Sequence, residues 1–282
     1  CAFTGSLARA VVCGLRGITA KVAGRVVSLG SGQAAGTRRN ARQCKKRLAD
    51  FRKRVHRFKA LRRSGVRTDR LLRTGGIAAL TYGQRALGVP DSVLMRQRRA
   101  AGAATCDRSC GADLDLTLKI SDGRTLGASD PAFEAHVGVV HMWALAVWEV
   151  WAPACLMQRL LEKTLNRLRQ AKRVWSVVYG PAAALVATMQ RLGWIVTLAF
   201  ELLADDGTSL DLRLDSPAYV KGVVVRSVER WRWRRIEAQL PSLDSGGLGL
   251  GAAWQPVAAV LRKPDQPEWG AAHKGALKSA IM

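Results

Sequence analysis

The sequence predicts a mainly α-helical fold: a basic helical bundle, a second helical region carrying one β-hairpin, and a disordered C-terminal tail. Three observations lead there. Apolar residues recur at three- and four-residue steps through most of the chain, the period of one helix face. Proline and glycine bracket the later stretches in the order expected of helix starts and ends. Runs with strand character are few and short. At 282 residues with 48% hydrophobic content, the chain can fill one large core or two ordinary ones.

Taken in order, residues 6 to 30 read as a short helix followed by a strand, Gly24 to Gly30, and residues 30 to 37 as a Gly/Ser-rich loop. Leu48, Phe51, Val55 and Phe58 mark one face of a helix that ends at Ser64-Gly65. A second helical stretch spans about Arg67 to Leu87, bent at Gly75-Gly76. A third follows Pro90, with Asp91 as its cap. Residues 105 to 131 read as irregular, with one alternating segment from Asp113 to Leu118 and turns at Asp122-Gly123 and Asp130-Pro131. Phe133 to Trp151 and Ala154 to Ala171 read as helices. Pro181 opens another that Gly193 closes. Ile195 to Leu203 and Leu210 to Leu214 form a hairpin around Asp205-Asp206-Gly207. Ser216 and Pro217 start a last helix reaching about Gln239, with Val220, Val224, Val228 and Trp231 on its buried face. From Pro241 the chain is rich in Gly and Pro without a sustained period, the composition of a flexible tail. The expected organisation is 1–35, 36–110, a linker at 111–131, 132–240, and the tail 241–282.

Charge is the strongest functional signal. The formal net charge is +24 and the pI is near 11, an electrostatic footprint of polyanion binding. Half of that charge lies in one arm: Arg38, Arg39, Arg42, Lys45, Lys46, Arg47, Arg52, Lys53, Arg54, Arg57, Lys59, Arg62 and Arg63, opposed by Asp50 alone. An ordinary solvated helix mixes both signs to limit repulsion, and this one does not. Its expected role is to track phosphates, which positions a nucleic acid without reading its sequence. Arg96, Arg98 and Arg99 extend the basic track, as does the Trp-Arg segment with Arg232, Trp233, Arg234 and Arg235. Tryptophan between arginines suits the stacking of unpaired bases. Trp231 is expected in the core, and Trp233 at the helix edge either packs or stacks.

Other constellations are weaker. Paired aspartates on a tight hairpin, Asp205 and Asp206, suggest a polymerase metal site, with Asp113 or Asp115 as a further carboxylate. The following Gly207 suits a simple turn instead. Cys106, Cys110, His136 and His141 have loose zinc-like spacing, and separate buried side chains are the plainer reading. No phosphate-binding glycine loop and no serine–histidine–acid pattern occurs, so neither a catalytic residue nor a metal or other cofactor is expected. Six scattered cysteines, at 1, 13, 44, 106, 110 and 155, read as reduced thiols of an intracellular protein. The apolar run from Val137 to Met157 contains His141, Glu149 and Pro153 and reads as a core helix, not a membrane span. The start at Cys1 reads as that of a fragment or a processed product, with no secretory signal pattern.

The order of the segments resembles the region downstream of the palm in non-LTR retrotransposon reverse transcriptases, in a diverged protist-type copy. Val26 to Gly30 resembles the strand and Leu-Gly turn that closes the palm. The arm resembles the basic helix that follows. Arg73 to Gly83 resembles the next thumb helix, with small residues before a Tyr-Gly. Trp175 to Trp194 resembles a connector helix with a Gly-Pro opening and a Leu-Gly-Trp close. The resemblance covers about residues 9 to 240. It implies a non-catalytic thumb-and-connector chain that holds an RNA or RNA/DNA duplex against an upstream palm domain, in the cell interior or nucleus. It also places Asp205 and Asp206 after the region where that family keeps its catalytic acids. A stand-alone basic RNA- or DNA-binding protein is the alternative. An anionic-membrane-surface protein would need a wider apolar face on the arm than Leu48, Phe51, Val55 and Phe58 provide, so no membrane is expected.

Overall fold

Two short strands, β1 (Arg25–Ser28) and β2 (Ser31–Ala34), pair as an antiparallel hairpin with Ser28 opposite Ser31. The second strand occupies part of the segment read as a Gly/Ser-rich loop. In this computed structural model the described residues are 25–28, 31–34, 39–66, 68–106, 112–122, 125–239, 252 and 254–281. The helix expected before Gly24, Cys1, Cys13, Cys110 and Arg38 lie outside them.

The arm forms α1 (Arg42–Arg63). Leu48 and Phe51 are buried, and Cys44, Val55 and Phe58 are partly buried beside them. Burying a large apolar side chain contributes about 1.5–3 kcal/mol, so this stripe offsets the self-repulsion of the charged face. The next stretch is helical but not continuous. Helix α2 (Thr68–Leu71) runs into a π-helical turn at Leu72–Gly76 and then α3 (Ile77–Thr81). The π turn falls on the glycine pair, where helix distortion costs little. Gly83, at φ +77°, separates α3 from α4 (Gln84–Leu87), because Tyr82 leaves helical geometry. Helix α5 (Asp91–Thr105) follows.

The alternating segment after Asp113 is helical, not extended: it forms α6 (Leu114–Ser121). Asp113 accepts a hydrogen bond from the Leu116 amide at 2.8 Å, an N-cap. Leu116 and Leu118 are both buried but in different apolar clusters, so a period of two was compatible with a helix packed on two sides. Helix α7 (Pro131–Trp148) is capped by Asp130, which accepts from Ala132 N at 2.9 Å. It is apolar almost all round, the pattern of a helix enclosed by others. Ala132 and Ala135 belong to the core under α1, α3 and α5, whereas Val139, Val140, Trp143 and Val147 belong to a larger one. That second core is completed by α8 (Ala154–Arg169), α9 (Pro181–Leu192), a sheet, and α10 (Pro217–Gln239).

Helix α9 starts at Pro181 and stops at Gly193, φ +81°, as the sequence predicts. The sheet has three antiparallel strands in the order β3 (Ile195–Val196), β4 (Glu201–Leu203), β5 (Ser209–Asp211). The segment read as one strand folds back at residues 198–200, so Ile195 pairs with Leu203. In the tail, expected to be without regular structure, the described residues form α11 (Trp254–Arg262) and α12 (Ala271–Ile281). Trp254 packs against Leu116, Trp233 and Ile236. Among the described residues no helix is long and apolar enough to cross a membrane.

Candidate nucleic-acid interface

Helix α1 sorts its charges by position. Arg42, Lys45, Lys46, Arg52, Lys53 and Arg57 recur at three- and four-residue steps opposite Leu48 and Phe51, and all are exposed. Arg54 and Arg63 are exposed as well, and Lys59 is half-buried. Among the described residues none of these nine has a carboxylate partner. A helix of 22 residues is about 33 Å long at a rise of 1.5 Å per residue. The exposed face is therefore a straight cationic edge about as long as one turn of a nucleic-acid duplex.

Three other arm cations fasten α1 to the body. Arg39 donates from Nη1 to Leu87 O at 2.6 Å and from Nη2 to Gly88 O at 2.5 Å, and burial lowers its pKa to about 10. Arg47 donates to Tyr82 O at 2.8 Å and lies 4.9 Å from the Tyr82 ring centroid. Arg62 donates to Ala104 O at 2.8 Å. These contacts orient the helix and keep its free face outward.

The expected extensions of the track divide. Arg96 and Arg99 are exposed on α5. Arg98 is not on the surface: with no solvent exposure it is the centre of a buried ion cluster. Its Nε donates to Asp130 Oδ1 at 2.9 Å, and Nη2 donates to Asp130 Oδ2 at 2.8 Å and Asp115 Oδ1 at 2.5 Å. Burial works against the charge on Arg98, and Asp130 and Asp115 overcome it, holding its pKa above the ordinary arginine value.

The Trp-Arg helix is likewise a clasp and not a basic track. Arg232, also buried, donates to Asp122 Oδ2 at 2.7 Å and lies 3.6 Å from Asp130. Arg235 reaches Asp115 at 3.3 Å. Arg234 is exposed but pairs with Asp205 at 3.2 Å and donates to Leu192 O. Trp233 is buried and donates to Glu229, so it presents no face for stacking, and Trp231 is the half-buried one of the pair. Arg98, Arg232 and Trp233 are thus withdrawn from the expected interface, because arginines buried against protein carboxylates and a buried ring cannot meet a phosphate or a base.

The paired aspartates do not present a metal site. Asp205 receives two hydrogen bonds from Arg230, at 3.0 and 2.6 Å, and one from Ser227 Oγ at 2.6 Å. Burial alone would raise its pKa, but those donors hold it below the ordinary carboxylate value. Asp206 makes the turn, accepting from Thr208 N at 3.0 Å beside Gly207 at φ +83°. Among the described residues no three His, Cys, Asp or Glu side chains cluster in a way that could hold a metal ion. His136 is fully buried, with Nδ1 2.5 Å from Ala132 O, and burial pushes its pKa down to about 3. Cys44, Cys106 and Cys155 are free thiols.

One feature of the surface was not read from the sequence. A groove of about 830 Å³ lies between α3, α4, the 125–130 loop, α7 and α10. Arg73, Arg85 and Lys221 line it from three separate elements. The only local signal was the Tyr82-Gly83 pair, which ends α3 and opens one wall. Comparison with protein-family models, with curated proteins and with solved structures finds no match to this chain.

Proposed function

We propose that this chain is a non-catalytic nucleic-acid-binding unit, the thumb-like part of a retroelement reverse transcriptase, holding an RNA or RNA/DNA duplex by its backbone. The observation that carries the reading is the exposed face of α1, where six cations share one side without a carboxylate partner. Cations left unpaired gain from releasing the counterions of a polyanion, which paired ones do not. Arg96 and Arg99 add exposed charge on the helix against which α1 packs. The polymerase assignment rests on segment order alone. A reading frame upstream of Cys1 that encodes a palm with metal-binding aspartates would support it, and a stand-alone gene would replace it with the simpler nucleic-acid-binding protein.

The test is duplex binding across a salt series, with Arg42, Lys45, Lys46, Arg52, Lys53 and Arg57 changed together to Gln. Each phosphate contact contributes about 0.9 to the slope of log affinity against log salt. Six contacts therefore give a slope near 5 and roughly a thousandfold loss of affinity between 50 and 200 mM salt. The variant is expected to flatten the slope by most of that. Weak, salt-insensitive binding by the intact chain, or an unchanged slope in the variant, overturns the proposal. Vesicle binding stronger than duplex binding at equal salt would assign the charge to a membrane surface instead.

A further inference from the structure

The groove between α3, α4, α7 and α10 combines apolar depth with cationic edges. Ile77, Phe133 and Val137 are buried along it, while Leu126 and Tyr82 are 39% and 56% exposed. Arg85 shares its charge with Glu134 through a 2.6 Å hydrogen bond. Lys221, exposed on α10, has no ion-pair partner among the described residues. The volume falls within the range of small-molecule and cofactor sites, about 300–1,000 Å³.

Its position adds to this. Tyr82 also borders a small cleft formed by Arg39, Asn40, Gln43 and Arg47 at the start of α1. Tyr82 therefore lies between the cleft at the start of α1 and the groove, and the Arg47 guanidinium lies on its ring. A strand leaving the α1 edge at that end meets an exposed aromatic ring, then an apolar hollow, then an unpaired ammonium. Each matches one part of a nucleotide: a base stacks on aromatic and apolar surface, and a phosphate pairs with a cation.

We propose that this groove receives an unpaired nucleotide of the nucleic acid bound along α1, its base on the apolar lining and its phosphate toward Lys221. The inference rests on the reading of α1 as a phosphate-binding helix and adds to it a preference for duplexes with an unpaired end. Double-helical nucleic acid would present no free base to the hollow.

The test compares three RNA duplexes with the same paired region: blunt, with a three-nucleotide overhang, and with an abasic overhang of equal length. The abasic strand keeps the phosphates and removes only the bases. The intact chain is expected to bind the base-bearing overhang roughly tenfold more tightly than the abasic one, the scale of a single stacked base. Ala78→Trp, which fills the groove from an exposed position, is expected to abolish that difference while leaving blunt-duplex affinity unchanged, and Tyr82→Ala is expected to abolish it whatever its effect on blunt-duplex affinity. Equal binding of the base-bearing and abasic overhangs, in both strand polarities, overturns the proposal and leaves the α1 reading intact. A difference that survives in both variants overturns it too. Loss of blunt-duplex binding by the intact chain removes the α1 reading and this inference with it.

Discussion

Changing Arg98 to Met removes one guanidinium and strands two carboxylates. Arg98 makes three charge-assisted hydrogen bonds, two to Asp130 and one to Asp115, and all three side chains are shielded from solvent. At about 1.5–3 kcal/mol for each bond to a charged group, the gross loss is about 4.5–9 kcal/mol. Part of it is recovered, because Asp130 keeps Ala132 N and Arg232, and Asp115 keeps Arg235. The expected net destabilisation is about 4 kcal/mol, within the range seen on breaking a buried pair. In a folded region of this size that lowers the melting temperature by about 8–16 °C. The pH dependence carries a second signature. In the intact chain burial pushes the Asp130 pKa up, but Arg98 and Arg232 outweigh it and hold it below the ordinary value. Asp130 therefore contributes stability above the carboxylate range, and that contribution is lost as pH falls. Without Arg98, burial pushes the pKa upward and protonation relieves the variant, so its deficit shrinks from pH 7 toward pH 4. Arg99→Met, one residue away but exposed, is expected to change stability by less than about 0.5 kcal/mol. Urea unfolding at several pH values measures all of this. A loss below about 1 kcal/mol for Arg98→Met, or a deficit that grows on acidification, would refute the assignment of this cluster as the clasp between α5, α6 and α7.

Two further predictions address the polar core. His136 stays neutral in the folded chain to about pH 3, against an ordinary value of 6.5, so the unfolded chain gains a proton the folded one refuses. Stability should fall by about 1.4 kcal/mol per pH unit between those values, and His136→Gln should remove that component; an unchanged slope would show that His136 is protonated when folded. Asp205→Asn is expected to cost about 2–3 kcal/mol by weakening the links to Arg230, Arg234 and Ser227. A stabilised variant would mean that repulsion with Asp206 dominates and would return the hairpin to consideration as a metal site.

Several elements were legible because their causes are local. Leu48, Phe51, Val55 and Phe58 define the inward face of α1, and the same count places Arg42, Lys45 and Arg52 outward. Pro181 and Gly193 bound α9 through backbone geometry that belongs to those two residues. Ser216 and Pro217 start α10 in the same way, with Ser216 Oγ accepting from Tyr219 N at 3.3 Å. The segment from Asp113 to Leu118 was misread because its alternation is real. Both sides of that helix are buried, so burial does not follow the helical period there.

The sequence by itself determined that the chain is mainly helical and that α1 turns one apolar stripe inward, with its charge over the rest of the helix. Apolar period and end signals act within a few residues, and no distant contact is needed to express them. Only the tertiary structure decided which arginines are surface charges and which are core groups. Arg98 and Arg99 are neighbours of one residue type on one helix. Asp130 and Asp115, 32 and 17 residues away along the chain, reach Arg98 and not Arg99. The Trp-Arg helix likewise meets Asp122 and Asp115 across more than a hundred residues. A charge is placed by the partners the fold brings to it, and those partners lie beyond any local window of sequence.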